Sequence, residues 1–270
     1  DSVAEEKLDE AYDLAMVSGD IGDVIIFNRG ASIEKYLNHG ALADLYDYFN
    51  KDDSISLDDI FDFTYQHMER NGELYTLVPR FEIKTVVSKT SNFSQGFTFD
   101  EFIELLKNQD SDSLLINESG FSLVEMLLFA AIEDYIDMKA KTCDFTNEDF
   151  ISTIEFLKSL TDESNAVYDD DPAAYTDDKI LCRTYHLSNI YEYLRLKASF
   201  GYKDISFIGF HSPDGGRDEL YPSSYIGISS QSKAPDGAWE FIKFMMDEFY
   251  QINDEYFLDS LPSLKTVMYD

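Results

Sequence analysis

Four short stretches gather side chains suited to gripping a polyhydroxylated molecule. They are Asn28-Arg29, Arg80-Phe81-Glu82, Arg183-Thr184-Tyr185, and Tyr221 with Ser223, Ser224 and Tyr225. Aromatic rings cover apolar ligand faces, while amide, carboxylate and guanidinium groups present donors or acceptors on planar frames. In open α/β sheets such groups sit beyond the C-terminal ends of strands. Asn28 follows the apolar run Val24–Phe27, Arg80 follows Glu73–Val78, and Arg183 follows Lys179–Cys182. Tyr221 and the serines lead into another run, Tyr225–Ile228. Each stretch also has a plainer role open to it. Asn28 can cap the next helix with Arg29 as a surface charge, Glu82 can sit in a salt bridge, and Ser223–Tyr225 can be a simple strand entry. Strand alternation sends Phe81 and Glu82 to opposite faces, so at most one of them faces a ligand directly.

Catalytic patterns are missing. The chain has no G-x-S-x-G, H-E-x-x-H, P-loop or G-x-G-x-x-G. A glycosidase pair needs two carboxylates at a fixed separation in opposed environments, and among 53 acids a pair chosen by eye carries no information. The expectation is a protein that is not an enzyme and carries no cofactor. Cys143 and Cys182 have no His or Cys at ligand spacing, so no metal is expected. Two reduced thiols are the preferred reading of the pair, and a disulfide is the alternative. The segment Asp162–Asp178, with seven acids, lacks the spacing of a calcium loop and reads as solvated. His39, His67, His186 and His211 are scattered and receive no role, and Trp239 has the helical spacing of a core residue.

The elements that must carry these residues alternate between helix and short strand, which means an α/β protein. Val24–Phe27, uninterrupted and apolar, predicts a parallel strand covered on both faces. A helix follows through Leu37, with Gly40 as its stop. Ser56 opens a helix containing Ile60, Phe61, Phe63 and Tyr65, and Asn71-Gly72 turns the chain into strands at Glu73–Val78 and Phe81–Ser88. Thr98 and Glu101 make a capping box for Phe102–Lys107. A longer helix runs over Phe121–Met138. Thr146 or Asn147 caps another, with Phe150, Ile151, Ile154, Leu157 and Leu160 on one face. Ala4, Leu8, Ala11, Tyr12, Ala15 and Met16 fall at helical spacing at the start.

With 270 residues, two domains of ordinary size are the default. A net charge of −32 repels nucleic acid and disfavours an anionic membrane surface. It also argues for a neutral or cationic ligand over an anionic one. No run of 18 apolar residues spans a membrane, and no signal-peptide pattern opens the chain.

Residues 221–244, YPSSYIGISSQSKAPDGAWEFIKF, run from a strand through a Ser-rich loop into an aromatic helix. Residues 20–48, DIGDVIIFNRGASIEKYLNHGALADLYDY, run from a strand through a polar elbow into a helix. Residues 121–160 hold a D-x-x-x-x-x-C-x-F connector between helices, and ISFIGFHSPDGG pairs a strand with a Gly loop. In this order the blocks resemble the extracellular solute-binding proteins (family 1, carbohydrate-type) of bacterial ABC importers, over nearly the whole chain. The resemblance implies a two-lobed, type II periplasmic-binding-protein-like fold with hinge crossings near Phe81–Lys89, Tyr221–Tyr225 and Leu261–Leu264. Lobe one would be residues 1–84 plus 222–260, and lobe two 85–221 plus 261–270. It also implies ligand contacts at the elbow Asn28-Arg29, a first strand and helix before the start and further helices after the last residue, so that the chain reads as truncated. The function implied is capture of a sugar or oligosaccharide by hinge closure, for delivery to a membrane permease. The protein would be a monomer, extracellular and lipid-anchored on a Gram-positive cell. A peptide or other small polar solute is the alternative ligand. A non-transport interaction or adhesion module on the same fold is the alternative role.

Overall fold

The computed structural model describes residues 14–15, 21–28, 33–92, 98, 100–101, 104, 128, 132–137, 140–159, 182–210, 216–253 and 260–269. Its strands are β1 (Val24–Asn28), β2 (Glu69–Arg70), β3 (Glu73–Leu74), β4 (Arg80–Lys89), β5 (Ile136–Asp137), β6 (Thr142–Cys143), β7 (Cys182–Leu187), β8 (Ile205–Phe207), β9 (Glu219–Pro222), β10 (Ser224–Ile228) and β11 (Leu261–Pro262). The helices are α1 (Ile33–Asn38), α2 (Tyr46–Phe49), α3 (Ile132–Tyr135), α4 (Glu148–Ser159), α5 (Ile190–Ser199), α6 (Pro235–Met245), α7 (Glu248–Asn253) and α8 (Lys265–Tyr269). The chain divides into two compact units. Unit 1 comprises Asp1–Glu82 and Leu220–Asp270, and unit 2 comprises Ile83–Glu219.

Unit 1 is organised around β1 and β10, which pair antiparallel from Val24↔Ile228 to Asn28↔Ser224. The pairing corrects the expectation of a parallel strand covered on both faces. Ile25 and Phe27 are buried while Ile26 between them is 41% exposed, the alternation of a half-buried strand. An apolar run fixes neither the direction of its partner nor what lies over its second face. Around the ribbon, Leu45, Leu77, Ile226, Trp239 and Ile242 complete one core. Gly227 admits no larger residue, because a Cβ there would lie 2.7 Å from the Tyr75 carbonyl oxygen. Helix α1 ends as its sequence signals. Gly40 takes φ +63 and its N–H donates to the Leu37 carbonyl.

Trp239 is buried, as its helical spacing predicts, and its Nε1–H donates to Asp52 Oδ2 at 2.9 Å. The same carboxylate accepts from Ser54 and pairs with Lys243 at 2.7 Å. These partners, led by Lys243, hold the Asp52 carboxyl well below its ordinary range. At the other end of the ribbon's return loop, Asp23 accepts from the Ser232 hydroxyl and from the N–H groups of Lys233 and Ala234, which lowers its pKa too.

The helix expected from Ser56 is instead three separate 3-10 turns, Leu57–Asp59, Asp62–Thr64 and Gln66–Met68. Ile60 breaks the first from the second, being extended at φ −102 and ψ 144 and bridged to Leu264. The next N–H, of Phe61, donates to the Ser263 carbonyl. The same contacts correct the assignment of residues 261–270 to lobe two, since they fall in unit 1. There β11 pairs with Arg80 and Phe81, the Ser263 hydroxyl donates to the Pro79 carbonyl, and Leu264 N–H donates to the buried Gln251 side chain.

In unit 2, β4 pairs antiparallel with β7 from Ile83↔Leu187 to Ser88↔Cys182, and with β8 from Val87↔Phe207 to Lys89↔Ile205. Leu196 and Phe200 at the end of α5 pack on Val87. Local signals hold here. Thr98 and Glu101 exchange the two bonds of a capping box, and Asn147, rather than Thr146, caps α4 by accepting from Asp149 N–H. Helix α3 stops at Tyr135, short of the expected Met138, because Ile136-Asp137 enters a hairpin with Thr142-Cys143. On α4 the buried residues include Thr153 and Leu157, while Ile151 and Ile154 of the expected apolar face are 44% and 40% exposed. Cys143 is exposed, Cys182 is buried, and both are free thiols. The acidic segment 162–178 and residues 4–12 of the helical pattern at the chain's start lie outside the described residues.

Candidate functional site

The antiparallel register brings several of the sequence-predicted residues to one end of the β1–β10 ribbon in unit 1. Asn28 stands opposite Ser224, and Phe27 opposite Tyr225. Alternation puts the first pair on one face and the second on the other. Asn28 is exposed and Ser224 half-buried, so an amide and a hydroxyl sit side by side at the strand terminus. Arg29, the other half of the elbow, lies outside the described residues. Ser223 is exposed, and its N–H donates to the Arg80 carbonyl at 2.9 Å, which ties the ribbon's entry to the start of β4. Tyr221, half-buried, belongs to β9 just before it.

Tyr225 shares its face with the core yet remains half-buried, and burial raises its pKa, which keeps the phenol a neutral donor. Its ring lies 6.1 Å from that of His67. The imidazole has an open surface, yet enough protein surrounds it to push its pKa down, and Nδ1 lies 3.3 Å from the Phe63 carbonyl oxygen. A neutral Tyr–His pair offers both donors and acceptors to a hydroxylated ligand. His67, given no role from the sequence, therefore adjoins the candidate surface. Only the fold could reveal this, because it is the third of the 3-10 turns that carries it there.

Two of the predicted residues are placed elsewhere. Phe81 is 1% exposed, with its ring edge-on to Phe63 at 5.3 Å and to Phe61 at 6.4 Å, so it is a packing residue and presents no face for stacking. The ring that remains accessible is Phe63, 45% exposed and stacked on Phe61 at 5.3 Å. Arg80, its neighbour, is buried and donates to Ser260 Oγ, the Ser260 carbonyl and the Gln251 carbonyl at 2.9–3.0 Å. Glu82, half-buried, ends the unit 1 part of β4.

In unit 2, Arg183 and Tyr185 lie within β7, not past its end as the sequence suggested. Two positions apart, they share a face, and the guanidinium sits 5.4 Å over the tyrosine ring. The Tyr185 hydroxyl donates to the Glu192 carboxylate at 2.8 Å, and burial together with that bond raises its pKa. Glu192 is fixed in turn by Asn189, which caps α5 by accepting its N–H. The geometry is that of a rigidly held cation, suited to hydrogen-bonding hydroxyl or carbonyl oxygens. No group of three or more His, Cys, Asp or Glu able to hold a metal ion occurs among the described residues. Among them, no helix is long and apolar enough to cross a membrane.

Comparison with known proteins places the chain. A family model described as bacterial extracellular solute-binding protein matches residues 2–264. No curated protein matches it in sequence. Among solved structures, the sugar-binding protein MalE from the phytopathogen Xanthomonas citri is 13% identical, with 99% of this chain and 71% of that one covered at a TM-score of 0.67. An extracellular solute-binding protein family 1 member from Alicyclobacillus acidocaldarius is 14% identical over 96% and 68% of the two chains, TM-score 0.63. A sugar transporter from Arthrobacter chlorophenolicus with bound laminaribiose is 16% identical over 97% and 70%, TM-score 0.55.

Proposed function

The chain belongs to the bacterial extracellular solute-binding proteins, and from that premise we propose that it captures a sugar or oligosaccharide for an ABC importer. The observation that carries this reading is the family match over residues 2–264, joined to a fold shared with sugar-binding proteins. The chemistry of the candidate surface agrees with it. Asn28, Ser223, Ser224 and Tyr225 offer uncharged donors and acceptors at the ribbon end, as a polyol requires. Arg183, stacked on Tyr185, would supply the contribution of unit 2, with Arg29, Glu82 and Tyr221 as further contacts. Phe63 replaces Phe81 as the ring available for stacking in unit 1.

The mechanism is binding coupled to hinge closure. A ligand shifts the population toward a closed state only by its differential contacts with that state. The two chain crossings given by the division of the units, at 82/83 and 219/220, would form the hinge. The closed form is then recognised by the permease. No covalent step is involved, and the family is one of binding proteins rather than enzymes. We place the protein outside a Gram-positive cell, held by a lipid anchor and working as a monomer.

A thermal-shift panel of mono- and oligosaccharides, amino acids and short peptides tests the reading. A ligand at 100 times its dissociation constant stabilises the native state by about 2.7 kcal/mol. Stabilisation by a sugar is the expected result. A response confined to peptides or amino acids would move the ligand class. A folded protein that ignores the whole panel would refute solute capture in favour of an interaction module.

A further inference from the structure

A groove of about 560 Å³ opens on unit 1 between the first 3-10 turn, α6, α7 and α8, and shares no residue with the ribbon-end surface. Ile55, Phe244 and Leu264 are among its apolar lining, and Asp59, Asp247 and Glu248 stand around them. Phe244 is 50% exposed although its ring is held at both ends of its chain position, 6.4 Å from Phe241 and 5.2 Å from Tyr250. Phe241, whose ring adjoins Phe244, extends the patch at 41% exposed, and Phe249 on α7 is 69% exposed. A run of open aromatic rings on helices α6 and α7 is costly in water and marks an interaction surface when rimmed by charge. The sequence marks this helix as aromatic and assigns Trp239 alone among its rings to the core. Trp239 and Ile242 do face the core, while Phe241 and Phe244 face out.

The lining is net negative, with Asp59, Glu240, Asp247 and Glu248 against Lys243. Two lysines at the groove are already engaged. Lys243 pairs with Asp52 and Glu240 at 2.7 Å each, and Lys265 donates to the Asp58 carbonyl. Among the described residues, no salt bridge engages Asp59, Asp247 or Glu248. We infer that this groove docks a helical segment of another protein that carries an apolar face flanked by lysine or arginine. Helix-in-groove recognition places apolar anchors at i, i+3 or i+4 and i+7. The open rings would receive such anchors, and the carboxylates would steer and orient the flanking cations. The inference does not rest on the sugar reading, since the groove and the ribbon end are separate.

The test uses the intact protein and a fluorescent 18-residue amphipathic helix of leucine and lysine, read by anisotropy. Two variants are compared with the parent, Phe244→Ala and the pair Asp59→Asn with Glu248→Gln, after their unfolding midpoints have been matched to it. Half-exposed and rim positions tolerate such changes. The peptide should bind the parent, and each variant should bind at least about tenfold more weakly, as loss of a central aromatic or of paired rim charges does. Binding should also fade in 1 M salt, where the screening length is about 3 Å. Equal affinity for all three proteins would overturn the inference, because general attraction to a chain of charge −32 barely notices two carboxylates among 53 acids. Absence of binding would overturn it as well. So would a concentration-dependent dimer that Phe244→Ala abolishes, which would make a second copy the occupant.

Discussion

Replacing Arg80 by Ala should destabilise unit 1 without any ligand being involved. The residue is 5% exposed, and among the described residues its guanidinium makes three charge-assisted bonds, to Ser260 Oγ, the Ser260 carbonyl and the Gln251 carbonyl. Gln251 lies in the last turn of α7, where carbonyls lack helical partners and a cation is favoured by the helix dipole. Each bond from a charged donor contributes about 1.5–3 kcal/mol, and each carbonyl stranded in the interior costs about 1–3 kcal/mol. These overlap, so the total is about 4 kcal/mol, a large part of the roughly 5–15 kcal/mol that holds a domain together. At about 2–4 °C per kcal/mol, the melting temperature should drop by about 8–16 °C. Trp239 gives the assay. It is the single tryptophan, it is buried in the core of unit 1, and its emission follows that unit alone. A fall of less than about 3 °C would refute the reasoning, for it would mean that water reaches the abandoned carbonyls at no cost. Arg80→Lys should recover little, since one ammonium cannot span the fork.

Three further outcomes follow from the same contacts. Gly227→Ala should destabilise unit 1 by roughly 1–3 kcal/mol, since its Cβ would meet the Tyr75 carbonyl oxygen at 2.7 Å, and a denaturant midpoint equal to that of the parent would contradict this. Asp52 has its folded-state pKa depressed below the ordinary 3.8, so its stabilising effect is complete above that value and is lost as pH falls through the lower folded value. Asp52→Asn should therefore lower the Trp239-monitored melting temperature at pH 7, with the gap closing towards pH 2, and a gap independent of pH would count against it. Tyr225→Phe should leave the fold intact and weaken binding of whichever sugar the panel finds by roughly three- to tenfold, the worth of one neutral hydrogen bond. Unchanged affinity by calorimetry would remove Tyr225 from the site.

What was legible in the sequence is what neighbours along the chain decide. Gly40, the Thr98–Glu101 box, Asn147 and the spacing of Trp239 each act within one or two turns, and each does so in the fold. The family pattern was legible too, because its blocks recur in order. The misreadings involve partners far off in the chain. Ile60 sits at a helical position by its spacing, but a bridge to Leu264 extends it. Phe81 reads as a ring past a strand end, but Phe61 and Phe63, at the second 3-10 turn, arrive over it. The assignment of residues 261–270 depended on Gln251 and Pro79, whose bonds to Leu264 and Ser263 no local pattern announces. At the candidate site, Asn28 and Ser224 were each picked out alone. Their pairing is a matter of register.

The register of β1 with β10 also sets a timetable for biosynthesis. Unit 1 is interrupted by the whole of unit 2, so Asn28 leaves the ribosome long before Ser224 exists. At about 5–20 residues per second, β1 waits roughly 10–40 s for its partner strand. Throughout that interval Ile25 and Phe27 have no ribbon to bury them and the strand's backbone donors are unmatched. Unit 2, contiguous in the chain, can close first. The outer unit must remain open until the segment from Leu220 onward has emerged, a delay that suits a chain threaded through a membrane before it folds and that obliges the cell to shield an apolar strand meanwhile.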